Sequence, residues 1–385
     1  MNSVKKLTAV ALAAAMAVSA SGCADQSWSY KSDNASLSAG TYIYNLLNGY
    51  YEAHDLVESP DEVKNILKAE VTGSDTDAET KTVEQYAYDV ADDTTSRMIA
   101  VEELFKKYNL VLNDTEDQAA LSYASQVWST AKKSLEGYGI SEESFNYCYA
   151  DYTVKYGQVF EHLYGKDGEK YVTDDELKKY FDDNHTGYAY FMIGMSETNE
   201  DGESVAKSTD EFKKAEEKLS DYVVMINNNS KTYKDVITQY ISDFDAEVDP
   251  TYSGAYKNEE GAGLDEDVEA KLESLSEGKA AFVKTGEDAS TVYYFVYKPK
   301  YSEIEDYLDE NKVGNEYSST TTDDGITIYD LKSGYTHYSL LNEMKADEYK
   351  DYLTEVAASS NIKKNDAALK KYTPKLFVTK DSDSE

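Results

Sequence analysis

Apolar residues recur every three or four positions through most of the first half of this chain. From Leu37 onward Tyr42, Ile43, Leu46, Tyr50 and Ala53 fall on one helical face. An acidic, less regular stretch over 54–90 separates them from a second stripe, Met98, Val101, Phe105 and Tyr108. Asn113-Asp114-Thr115 ends that helix and starts the next, in which Ala120, Ala124, Val127, Ala131 and Leu135 share a face up to Gly137 and Gly139. Ser141 is placed to cap a helix bearing Phe145, Cys148, Tyr149, Tyr152, Tyr156, Val159, Phe160 and Leu163. Cys148 lies on that apolar stripe and reads as a buried small hydrophobe, not a nucleophile. Thr173 and Glu176 have the spacing of a capping box ahead of Leu177, Tyr180 and Phe181.

The pattern changes near Gly187. Tyr188 to Met195 is a short aromatic run of strand character. Ser208 and Glu211 open a helix with Phe212, Ala215, Leu219, Val223 and Ile226 inward. A second helix follows over Tyr233 to Ile241, then a glycine-bearing loop with Gly254, Gly261 and Gly263, a short helix from Val268 to Leu275, and strands at 281–283 and 292–297. Strand, helix, helix, loop, helix, strand, strand predicts one small α+β domain. After a polar insert over 318–325 comes one long helix with Tyr338, Leu341, Tyr349, Tyr352 and Val356 spaced to bury one side. A helical N-terminal half and a lone C-terminal helix both need a partner, so the economical arrangement packs them on each other.

The N-terminus is set apart. Lys5 and Lys6 precede an apolar run from Leu7 to Ala20, shorter than the ~20 residues that span a bilayer. Ala20-Ser21-Gly22-Cys23 then places small residues before a cysteine. The arrangement resembles a bacterial lipobox, with Ala20 where that motif more often has Leu. The resemblance implies export, cleavage before Cys23 and lipid attachment at its thiol; an ordinary secretory signal is the alternative. Both readings put the protein outside the cytoplasm. The net charge of −36 argues against nucleic acid and anionic lipid as partners. Only Cys148 remains after Cys23, there is no CxxC, and His54, His162, His185 and His337 are scattered. No zinc site, other metal site or cofactor motif is indicated. The 36 tyrosines against 10 phenylalanines suit half-exposed, adaptable surfaces.

Taken in order, these pieces resemble an extracytoplasmic foldase of the PrsA/SurA type. Gly139-Ile140-Ser141-Glu142-Glu143-Ser144-Phe145 and Val172-Thr173-Asp174-Asp175-Glu176-Leu177-Lys178-Lys179-Tyr180-Phe181 resemble the helical chaperone module. Tyr233-Lys234-Asp235-Val236-Ile237 with Tyr240-Ile241-Ser242-Asp243, then Ser253-Gly254, Gly263-Leu264, Leu275, Gly278 and Phe282-Val283, resemble a parvulin domain. The resemblance implies an α+β multidomain fold: a mainly helical SurA/PrsA-like module of N-terminal helices and C-terminal helix, with an inserted parvulin-like domain. The expected divisions are signal 1–22, tether 23–36, helical domain 37–185, parvulin-like domain 186–300, connector 301–334 and C-terminal helix and tail 335–385.

The departures from the family pattern bear on function. Active parvulins place two histidines on neighbouring central strands and a Cys or Asp after the second helix. Here the first histidine position falls at Phe191, the second at Tyr294, and the Cys or Asp position at Phe244. The pocket positions, Leu264 and Val268, stay apolar, giving an expected peptide groove of Leu264, Val268, Phe191 and Tyr294. The X–Pro barrier is ~18–20 kcal/mol, and lowering it requires holding the twisted amide better than the planar one. Rings cannot supply the donors and acceptors that do so. The resemblance therefore implies a chaperone for unfolded exported polypeptides, lipid-anchored at a Gram-positive-type cell surface, whose degenerate parvulin domain binds peptide but isomerises weakly or not at all. The alternatives are an active prolyl isomerase and a solute-binding lipoprotein. The latter needs repeated strand–helix alternation that the helical first half lacks. Tyr152, Tyr156 and Phe160 could line a client groove but sit where core residues are expected. There is no P-loop, GxSxG or HExxH.

Overall fold

The structure is a computed structural model and describes residues 27–73, 79–246, 252–304, 319–321, 325, 327–329, 331 and 334–378. The signal over 1–22 and Cys23 lie outside the described residues, as do residues 318 and 322–324 of the polar insert. No described helix is long and apolar enough to cross a membrane. The chain divides into two compact units, Met1–Tyr171 with Asp347–Glu385, and Val172–Ala346. The first is thus built from both ends of the polypeptide.

In the helical unit, β1 (Trp28–Lys31) pairs antiparallel with β2 (Ser36–Ser38) on one side and with the strand Lys363–Lys364 on the other. Ser38 then caps α1 (Ala39–Asp55), accepting from the Thr41 backbone N–H, and the helix buries Tyr42, Ile43, Leu46 and Tyr50. Thr82 and Gln85 form the capping box of α2 (Val83–Lys107). α1 and α2 approach closely at Gly49, where a Cβ would lie 2.8 Å from the Ala87 carbonyl oxygen. α3 (Asp114–Tyr138) starts at an Asn113 cap and stops at Gly139, whose φ of 95° favours glycine. After α4 (Glu142–Asn146) the chain makes one π-helical turn, Tyr147–Asp151, before α5 (Tyr152–Tyr164). The long C-terminal helix, His337–Ser359, contributes fully buried Tyr349, ringed by Tyr156, Phe160 and Tyr164 at 4.7, 5.3 and 6.1 Å, with its hydroxyl donating to the Tyr156 carbonyl. Phe160 is fully buried and Tyr152 and Tyr156 are half-buried. Phe377 of the tail is buried against Tyr50 and Tyr138.

The mixed unit opens with α6 (Asp174–Asn184), again behind a capping box at Thr173 and Glu176. It runs through β3 (His185–Gly194), α7 (Thr209–Asn227), α8 (Tyr233–Phe244), β4 (Tyr252–Lys257), α9 (Glu266–Glu273), β5 (Lys279–Thr285) and β6 (Val292–Lys298). The four strands form an antiparallel sheet in the order β4-β3-β6-β5. β3 alternates with period two: Ala189, Phe191 and Ile193 are buried, while Tyr188, Tyr190 and Met192 are half-buried or exposed. α7 and α8 close the buried face, where Leu219, Tyr222, Val236 and Ile237 meet Phe191, Tyr293 and Phe295.

Five expectations need correction. The tether over 23–36 does not extend past residue 27, because Tyr30 is buried and stacks on Tyr42 at 5.9 Å. The helical domain ends at 171, not 185, since α6 turns Leu177 and Phe181 into the mixed unit, where Phe181 stacks on His185 and packs at a tilt against Tyr301. The C-terminal helix is shared: its residues to Ala346 group with the mixed unit and those from Asp347 with the helical one. Tyr338, expected on its buried side, is exposed, and Leu340 and Leu353 are buried instead. Finally, β4 occupies part of the segment expected as a glycine-bearing loop.

Candidate functional site

A sheet side chain belongs to one face or the other, and the register decides which. Phe191 pairs with Phe295 across β3 and β6, and their rings stack at 4.8 Å. Phe191 also stacks on Tyr240 of α8 at 4.3 Å and is fully buried. Tyr294 pairs with Met192, one residue out of step, and its ring lies 6.0 Å from that of Tyr190. Phe191 and Tyr294 therefore point to opposite faces. Phe244, the last residue of α8, packs within the helix layer, 5.6 Å from Tyr240 and beneath the Lys214 ammonium. The expected groove of Phe191 with Tyr294, Leu264 and Val268 is thus divided, and Phe191 is a core residue.

Leu264 and Val268 stand better with Tyr294. α9 packs on β5 and β6, and its fully buried Val268 and Leu272 are absent from the cluster beneath α7 and α8. The face opposite those helices buries Val296 and Tyr256. Burial pushes the Tyr256 phenol above its usual range, and Glu273 and Glu269 push the same way. These observations put α9 across one end of that face. Leu264 is half-buried just ahead of it, its N–H donating to Glu269 Oε1 at 2.8 Å.

The other end of the face is open and tyrosine-rich. Tyr190 stacks on Tyr252 at 5.0 Å with planes 15° apart, and on Tyr188 at 6.1 Å. Tyr188 reaches Tyr256 at 5.9 Å. Tyr252 is 52% exposed and Met192 37%. Gly254 lies close beneath this row: a Cβ there would lie 3.0 Å from the Tyr188 hydroxyl, tighter than an ordinary contact. By register, Lys279 and Lys298 at the far end of β5 and β6 are, among the described strand residues, the charged ones of this face, and Lys279 is drawn aside to the Asn227 carbonyl. No histidine lies on it: His185 begins β3 between Phe181 and Tyr335, and His337 opens the C-terminal helix.

Such a surface can stack on prolyl and aromatic side chains through ring faces. Sequence patterning singled out Tyr294 and Val268 but missed Tyr188, Tyr190, Met192 and Tyr252. The alternation of β3 was the available signal.

The helical unit holds a cleft of about 530 Å³ lined by Tyr44, Asn48, Tyr123, Cys148, Tyr149 and neighbours. Burial pushes the Cys148 thiol up to about 12, so it carries no thiolate near neutrality. Among the described residues no group of His, Cys, Asp and Glu is arranged to hold a metal.

No protein-family model matches the chain and no curated protein matches it. Among solved structures it is similar to the foldase protein PrsA from Streptococcus pneumoniae, at 15% identity over 78% of this chain and 97% of that one, with a TM-score of 0.28. It is also similar to PrsA from Lactococcus lactis, at 13% identity over 90% and 99%, with a TM-score of 0.31.

Proposed function

We propose that this protein is a chaperone of the foldase type that holds unfolded exported polypeptides, anchored through lipid on Cys23. In this reading the tyrosine face of the mixed unit takes extended peptide segments, and prolyl isomerisation there is weak or absent. The observation that carries it is the open, uncharged row of Tyr188, Tyr190, Tyr252 and Tyr294. Aromatic surface of this kind is normally covered in a soluble protein unless it binds something. Ring faces bind planar and twisted amides about equally, and equal binding does not accelerate the bound step.

The full chain is expected to suppress aggregation of a reduced, unfolding secreted protein at near-stoichiometric ratio. It is also expected to leave the rate of a proline-limited refolding reaction within about twofold of the uncatalysed rate. Failure to suppress aggregation refutes the chaperone reading, and rapid catalysed refolding makes the protein an active isomerase instead.

A further inference from the structure

We propose that the tyrosine face selects basic segments, extended peptides in which Lys or Arg alternates with prolyl or aromatic residues; this rests on the peptide-binding reading above. The face supplies rings and almost no charge of its own. The helix that crosses it is acidic: α9 carries Glu266, Asp267, Glu269 and Glu273 on eight residues, with Lys271 as its sole cation. Among the described residues none of these four acids has an ion-pair partner. Glu269 is only half-exposed and its Oε1 is held by the Leu264 N–H at 2.8 Å, which fixes it in place. α9 packs on β5 and β6, and Glu273 and Glu269 raise the Tyr256 phenol, whose ring lies 5.9 Å from that of Tyr188.

Negative charge on α9, unpaired among the described residues, at the Tyr256 end of the ring row is complementary to a cation flanked by apolar groups. The ammonium or guanidinium lies over a ring face while the carboxylates attract it within a Debye length, about 10 Å at 0.1 M salt, where screening is incomplete. The period of the sheet fits an extended occupant, because rings two residues apart on β3 meet alternate side chains of a strand-like segment. An acidic segment would be repelled at the same place, so the arrangement discriminates as well as binds.

The whole chain is acidic, so a preference for basic peptides must be shown to arise at this face. Dye-labelled peptides of one sequence, with Lys at alternate positions or with each Lys replaced by Gln, are titrated with the full chain and followed by anisotropy. The basic peptide is expected to bind about tenfold more tightly than the neutral one at low salt. E269Q/E273Q, which keeps the acceptor for Leu264, is expected to abolish that preference while leaving the neutral peptide's affinity unchanged. E58Q/E62Q, removing equal charge from the helical unit, is expected to retain the preference. Y190S/Y252S should weaken both peptides.

Equal binding of the two peptides by the wild-type protein overturns the selectivity and leaves peptide binding standing. A preference that survives E269Q/E273Q assigns it to overall charge and likewise overturns the proposal. Absence of binding by either peptide overturns the peptide-binding reading as well.

Discussion

At the scale of single residues, one step of register separates a core side chain from a surface one. Phe191→Ala empties a site closed by Tyr240, Tyr222 and Phe295. It should cost about 3–5 kcal/mol of mixed-unit stability in urea unfolding. Tyr294→Ala, on the half-buried face, should cost about 1 kcal/mol or less and show its effect in peptide affinity. Similar costs for the two would contradict the register. Sequence patterning recognised both as aromatic strand residues, but motif alignment alone does not fix the register between β3 and β6 that sends Phe191 and Tyr294 to opposite faces. His185 gives a second residue-scale test. Burial holds its imidazole below the usual 6.5, and the Glu343 carboxylate 3.3 Å away only partly opposes this; Lys257, 3.7 Å from the same carboxylate, adds to the lowering. The Tyr180 hydroxyl donates to Glu343, and Phe181 and Tyr335 cover the ring. The folded state binds the proton less readily than the unfolded one. The stabilising contribution is therefore complete above pH 6.5 and is lost as pH falls below it, by at most about 1.4 kcal/mol per pH unit. His185→Gln should flatten that part of the stability–pH curve, and an unchanged slope would show that His185 is not its source.

At the scale of elements, the helices were legible because caps and stripes agree. Thr173 with Glu176 and Ser208 with Glu211 both form the expected reciprocal boxes. β4 was not legible: Tyr252-Ser253-Gly254-Ala255-Tyr256-Lys257 carries a central glycine that reads as a loop. At that glycine the Tyr188 hydroxyl stands 3.0 Å from where a Cβ would be, a tertiary contact with no local trace. The π-helical turn at Tyr147–Asp151 was equally hidden: it moves burial from the expected Tyr149, Tyr152 and Tyr156 onto Ala150 and Val154, a shift that no local residue type announces. Close helix packing supplies the prediction at this scale. Gly49→Ala puts a methyl 2.8 Å from the Ala87 carbonyl and 2.9 Å from Val90 Cβ. α1 and α2 must separate to admit it, for about 1–3 kcal/mol, more than the gain in helix propensity returns. Thermal unfolding of the variant should show a net loss, and a gain would mean the two helices are less tightly apposed than described.

At the scale of the whole molecule, the helical unit depends on a tail more than 300 positions from the strand it completes, and this long-range closure can be isolated spectroscopically. Lys363–Lys364 pairs with β1, the Asn365 amide donates to the Trp28 carbonyl at 2.9 Å, and Phe377 fills a site between Tyr50 and Tyr138. Both tryptophans, Trp28 and Trp128, belong to this unit, and the mixed unit has none. Tryptophan fluorescence therefore follows the helical unit alone, while the tyrosine near-ultraviolet signal follows both. Each unit has its own apolar cluster, so each should unfold on its own core's terms. Phe377→Ala should move the fluorescence transition to lower denaturant by an amount worth about 3–5 kcal/mol, and deletion of residues 360–385 should move it further. Phe191→Ala should leave that transition in place and shift only the tyrosine signal. If Phe377→Ala leaves the fluorescence midpoint where it was, the tail does not complete the helical core, and the union of the two chain ends fails as a description of how this unit is held together.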